Sequence, residues 1–274
     1  MYETIQADLR DLENRGRLRS LRRRAGIDFT SNDYLGLAES AELRQAAADA
    51  IGRGVPMGAG GSRLLRGNHP EHEALEAEAA SYFGAETALY FGAGYTANFA
   101  MFSTLPQRGD IVIHDELIHA SVHEGLRRGR AEVASASHND ADVFDARLRQ
   151  WRGAGGRGQA WLAVESVYSM DGDSPDLADL MAVADRHDAI MVIDEAHATG
   201  VVGPQGRGLA ARFEGRSNVI TLHTCGKALG TAGGFVLAPR VVRDFLINRA
   251  RPFIFATAPS PLIAAVTRAA LVLT

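Results

Sequence analysis

The alternation of short apolar runs with helical stretches constrains this chain more than any other feature. Apolar runs lie at 88–91, 111–113, 159–164, 190–193, 219–222 and 235–238. Stretches of helical periodicity lie between them, at 96–105, 121–128, 143–152, 177–187 and 241–249. A strand buried on both faces reads as a continuous apolar run, so the pattern predicts an α/β fold with a mostly parallel central sheet and helices on both faces. Upstream, a helix is expected over 42–52. A loop too glycine-rich for a helix follows at 52–67 (GRGVPMGAGGSRLLRG), and then a helix over 69–83 with Pro70 in its first turn. The first 24 residues read as a charged helix ending in a basic stretch at 15–24, with a short strand at 27–30. That stretch is either a solvated face or an arm that meets an anionic ligand or a partner. Residues 259–274 read as a helix whose apolar positions run to the end without a capping glycine. The expected organisation is therefore an N-terminal helical arm and strand (1–40), a ligand-binding large domain (41–250), and the start of a linker (251–274) to a C-terminal small domain that is missing.

Composition narrows the function. A 46% apolar and 23% charged chain of 274 residues buries a real core. The formal net charge of −4 disfavours a nucleic-acid binder. No apolar run approaches the roughly 18 residues of a membrane helix, and the N-terminus lacks a signal-peptide apolar region. The single cysteine, Cys225, excludes an intrachain disulfide and fits a cytoplasmic protein.

Ligands of open α/β sheets bind at the carboxyl ends of the strands. The run 88–91 leads into Gly92-Ala93-Gly94-Tyr95-Thr96-Ala97 and a helix, a turn suited to a phosphate. The same turn fits a loose dinucleotide fingerprint with Asp115 about 20 residues on, which keeps a nicotinamide dehydrogenase open. The run 111–113 leads into His114, Asp115 and His119. No HExxH accompanies them, so no metal is expected. Asp194 ends a buried run and needs a cationic partner there. The Asp194-Glu195-Ala196-His197 string is not a helicase box, because no matching phosphate-binding loop exists. Lys227, the only lysine in an arginine-dominated chain, sits among small residues after the run 219–222. Partial burial there would lower its pKa and make it a nucleophile. An activated lysine, an acid at a strand end, a phosphate cradle and a histidine able to stack together match what pyridoxal 5′-phosphate (PLP) requires.

Seven motifs in order then carry a family likeness: SNDYLGL (31–37), GGSRLLRGNHPEHEALE (60–76), FGAGYTAN (91–98), HDELIHASVHEG (114–125), ESVYSMDGD (165–173), DEAHATGVVGPQGRG (194–208) and TCGKALGTAGG (224–234). They span nearly the whole chain, which resembles the α-oxoamine synthases, fold type I PLP enzymes. The resemblance implies that Lys227 is the Schiff-base lysine and the base for the substrate α-proton. It places Asp194 at the pyridinium nitrogen, His197 at the phenolic oxygen and His119 over the ring. Gly94 and Tyr95 lie on the phosphate side, with Ser169 and Thr224 as further cofactor contacts. Arg22, or Arg19 in the same basic stretch, matches an arginine that meets substrate, and Thr257 a threonine reaching the phosphate of a neighbouring subunit in a homodimer. The implied reaction is a decarboxylating condensation of an amino acid with an acyl thioester. The 60–76 loop points to L-alanine and a pimeloyl thioester, on coenzyme A or a carrier protein, in biotin biosynthesis. Aminolevulinate synthase, 2-amino-3-ketobutyrate ligase and serine palmitoyltransferase share most of the motifs. An inactive fragment is the remaining alternative.

Overall fold

The computed structural model describes all 274 residues, in two units, Met1–Ser31 and Asn32–Thr274. The first holds one helix, α1 (Glu3–Asn14), with no buried residue. Two expectations fail in this unit. The basic stretch 15–24 is not helical, because the chain leaves α1 through Gly16 at φ +65°. Residues 27–30 form no strand; the Asp28 carboxylate instead accepts the Thr30 N–H (2.8 Å) and hydroxyl (2.7 Å), a local turn that competes with any ladder.

The second unit runs α2 (Ala41–Gly52), α3 (Pro70–Phe83), β1 (Thr87–Phe91), α4 (Gly94–Thr104), β2 (Ile111–Asp115), α5 (Ala120–Arg128), β3 (Glu132–Ala136), α6 (Ala141–Gly153), β4 (Ala160–Glu165), α7 (Leu177–Arg186), β5 (Ile190–Asp194), β6 (Val219–Thr224), β7 (Gly234–Ala238), α8 (Arg240–Arg249), α9 (Arg251–Ile254) and α10 (Pro261–Leu273). The strands form one sheet in the order β1-β7-β6-β5-β4-β2-β3. Only β7 runs antiparallel to its neighbours, so the sheet is mostly parallel as expected.

Alternate strand residues face opposite layers, as the pleat requires. Val112, Ala163 and Val192 pack with Phe102, Val122 and Leu246 of α4, α5 and α8. Ile113, Leu162 and Ile193 pack with Phe144, Leu148 and Leu180 of α6 and α7. The unforeseen strand is β3, whose EVASA sequence is mostly solvated at the sheet edge and carries no apolar run. The apolar face of α10 is packed rather than bare: Val266 and Leu271 are buried among Leu75, Phe83 and Leu237.

This strand order brings the C-terminal ends of β1, β2, β4, β5 and β6 to one edge, and the antiparallel β7 begins there. That edge holds the cavity described next.

Candidate active site

A cavity of about 180 Å³ opens at that edge. Its walls come from the start of α4 (Gly94, Tyr95, Asn98), the β2–α5 loop (His119, Ser121), the ends of β4 and β5 (Glu165, Asp194, with Ala196 and His197) and the end of β6 (Leu222, Thr224, Lys227).

Lys227 rides on a tight loop. The Gly230 N–H bonds the Lys227 carbonyl (2.9 Å), and Gly230 sits at φ +64°, where a Cβ would lie 2.4 Å from the Ala38 nitrogen. The amine reaches His197 Nε2 at 2.8 Å, and His197 Nδ1 lies 2.7 Å from the Tyr34 hydroxyl. The one Tyr34 hydroxyl proton goes to Asn32 Oδ1 (3.1 Å), so that oxygen accepts from Nδ1–H, and Nε2 of a neutral ring accepts from Lys227. Burial, and then the Lys227 charge, pull the His197 pKa down to about 4, so the ring stays neutral at pH 7. Burial also lowers the Lys227 pKa against the opposing pull of Asp194 and Glu165, which favours the free amine.

Asp194 is 6% exposed and held from two sides. Asn98 Nδ2 donates to Oδ2 (2.7 Å) and the Ala196 N–H donates to Oδ1 (2.9 Å). The same Asn98 amide donates to Ser121 Oγ (3.0 Å), which donates to His119 Nδ1 (2.7 Å). One buried amide thus orients both the acid and, through Ser121, the His119 imidazole. Glu165 pairs in register with Asp194 across β4 and β5. Burial, and then the Asp194 charge, push the Glu165 pKa up to about 8, so this carboxyl stays largely protonated at pH 7.

The residues fit a phosphorylated pyridine aldehyde. An amine and a carboxylate line one cavity, beside the uncapped N-terminus of α4. A Cβ on Gly94 would stand 3.3 Å from Thr224 Oγ1, so a side chain there would crowd the helix start. The Asn98 Oδ1 is buried without a partner, an acceptor left for a bound donor. Asp115 does not support the nicotinamide reading. It is fully buried and committed to the Leu117 and Asn139 N–H groups and to His138, leaving nothing for a ribose.

Of the expected site residues, Gly94, Tyr95, His119, Asp194, His197, Thr224 and Lys227 come together in this cavity. Ser169 and Thr257 are exposed and outside its lining. Arg22, whose Nε donates to Ser20 Oγ (3.3 Å), and Arg19 belong to the unit Met1–Ser31. Asn98, Ser121, Glu165 and Tyr34 fall within the motifs quoted above, but those motifs assign them no role; their partners lie up to 163 positions away, so no local pattern shows what they meet.

Residues 24–272 match the family model described as aminotransferase class I and II. An 8-amino-7-oxononanoate synthase of Geobacter sulfurreducens is 40% identical over 285 residues, covering 99% of this chain and 72% of that protein. One of Mycolicibacterium smegmatis is 42% identical over 273 residues, covering 96% and 70%. Among solved structures, a serine palmitoyltransferase from S. paucimobilis with bound PLP–myriocin superposes with a TM-score of 0.85 at 27% identity, over 98% of this chain and 71% of that one.

Proposed function

The chain belongs to the aminotransferase class I and II family, and we propose that within it this protein is an 8-amino-7-oxononanoate synthase: a PLP-dependent acyltransferase that condenses L-alanine with a pimeloyl thioester and releases CO₂. The observation that carries the reading is the cavity holding Lys227 and Asp194 together with the α4 N-terminus. The 40–42% identity to synthases of that name over nearly the whole chain supports this branch.

PLP, when bound, supplies the electrophilic carbonyl and the electron sink of the reaction. Lys227 would hold it covalently through Nζ, Asp194 at its ring nitrogen, His197 at its phenolic oxygen and His119 at its ring face. The N–H groups of Gly94 and Tyr95, with the Thr224 hydroxyl, would hold its phosphate. The chain's own residues account for the rest. Burial lowers the Lys227 pKa and so favours the unprotonated amine, the only form that can take a proton from a substrate carbon. His197 stays neutral, so it receives a hydrogen bond from Lys227 without competing for its proton. Asn98 and the Ala196 N–H fix the Asp194 carboxylate in one orientation. The protonated Glu165 adds no negative charge to the cavity.

We read the substrates as small molecules, with Arg22 meeting them, Ser169 as a further cofactor contact, and the active form as a homodimer in which Thr257 reaches the phosphate in the neighbouring subunit. We read residues 41–250 as the cofactor-binding domain, with 1–40 as an arm; residues 251–274, expected as a linker, pack against that domain through α10. No helix is long and apolar enough to cross a membrane, and the lone buried Cys225 suits the cytoplasm.

Lys227 is the only lysine in the sequence, which makes the test clean. Protein loaded with PLP should be yellow, and borohydride should fix the cofactor to the peptide containing Lys227. Lys227→Ala should abolish both. Turnover with alanine, glycine and serine against pimeloyl and shorter acyl thioesters then tests the branch; a clear preference for glycine or serine refutes it.

A further inference from the structure

The strands β3, β2 and β4 lie side by side, and one imidazole joins the loops that follow them. His138 Nδ1 is 2.8 Å from Asp115 Oδ1, and its Nε2 is 2.9 Å from Asp173 Oδ2. A ring with a carboxylate at each nitrogen can donate from both as the imidazolium, whereas in the neutral ring Nε2 can instead accept from Asn139 Nδ2, 3.1 Å away. Asn139 doubles the link: its N–H donates to Asp115 Oδ2 (2.8 Å) and its Nδ2 to Asp173 Oδ2 (2.8 Å). The Tyr168 ring stands edge-on to His138 at 4.5 Å, and its hydroxyl accepts the Glu165 N–H (3.3 Å). On the other side, Asp115 Oδ1 also accepts the Leu117 N–H (2.9 Å), two residues before His119.

We propose that His138 is a positioning residue, an imidazolium latch that holds the 166–176 loop, which carries Ser169, against the loop that carries His119. The groups facing it agree in sign. Asp115 and Glu116 approach from β2 and its loop, Glu116 accepting the His138 N–H (3.0 Å). Asp173 and Tyr168 approach from the 166–176 loop. Asp140, Asp142, Asp176 and Asp179, at the starts of α6 and α7, line the adjoining cavity, which has no basic side chain besides His138. Burial pulls the ring's pKa down, but the hydrogen bonds to Asp115 and Asp173 outweigh it and leave the pKa above the usual histidine value. A group raised in this way contributes fully below its unfolded pKa, and the contribution is lost as pH rises through the folded one.

Two amides inside the loop report its closure: Tyr168 N–H bonds the Asp173 carbonyl (2.9 Å) and Gly172 N–H the Tyr168 carbonyl (2.9 Å). Hydrogen–deuterium exchange on the full chain, corrected for intrinsic base catalysis, should show these amides protected on the acid side. Losing one charge-assisted bond should cut protection about ten- to a hundredfold as pH rises through the His138 titration. His138→Gln should lack the protection and the pH step. Asp173→Asn, a change at a residue whose side chain is 43% exposed and outside the core, should lose them equally. A wild-type chain without the step, or either variant with wild-type protection, overturns the latch. The consequence for cofactor binding rests on the proposed function: the variants should raise the PLP dissociation constant several-fold. Wild-type protein that binds no PLP would refute the functional reading and leave the exchange result standing.

Discussion

Asn98→Ala tests whether one buried amide organises the site. Asn98 is 2% exposed and donates to the Asp194 carboxylate at 2.7 Å and to Ser121 Oγ at 3.0 Å. A hydrogen bond to a charged group contributes about 1.5–3 kcal/mol and a neutral one about 1. The Asn98 Oδ1 is already buried without a partner, so removing it returns part of that loss. The net expectation is a destabilisation of about 1.5–3 kcal/mol. For a chain of this size each kcal/mol moves the melting temperature by roughly 2–4 °C, which gives a fall of about 3–12 °C. Thermal melts of the cofactor-free protein measure this directly. Asn98→Asp should do worse than alanine, since it sets a second carboxylate against Asp194. The reasoning is refuted if Asn98→Ala melts within about 1 °C of wild type, or if the aspartate variant is the more stable of the two.

Further outcomes follow from the same geometry. Glu165 binds a proton more tightly when folded, with its pKa raised from 4.5 to about 8, so its contribution to stability is lost as pH rises through that window. Urea titrations from pH 5 to 8 should show wild type losing stability relative to Glu165→Gln, by at most about 1.4 kcal/mol per pH unit; parallel curves would contradict this. His197 has the opposite sign: its lowered pKa means stability is lost as pH falls from the ordinary histidine range toward about 4. Lys227→Ala removes one cause of that shift, so the NMR titration of His197 should move upward. Gly230→Ala should cost more than about 1 kcal/mol by urea denaturation, because φ is +64° and the new Cβ would strike the Ala38 backbone.

The fold was legible where burial writes itself into composition. The runs ending at Glu165, Asp194 and Thr224 are apolar because both faces of the sheet are covered. β3 was not legible, because an edge strand with solvated residues has no such signature. Asp194 and Lys227 could be singled out locally: a carboxylate ending a buried strand and a lysine among small residues are each anomalous without a ligand. The sequence alone therefore determined the layered sheet, the edge where ligands sit and the two groups most in need of one. Only the tertiary structure decided what surrounds them. Asn98 meets Asp194 across 96 positions and Tyr34 meets His197 across 163. Those pairings depend on the strand order and on where each helix and loop leaves the sheet, and no periodicity along the chain encodes them.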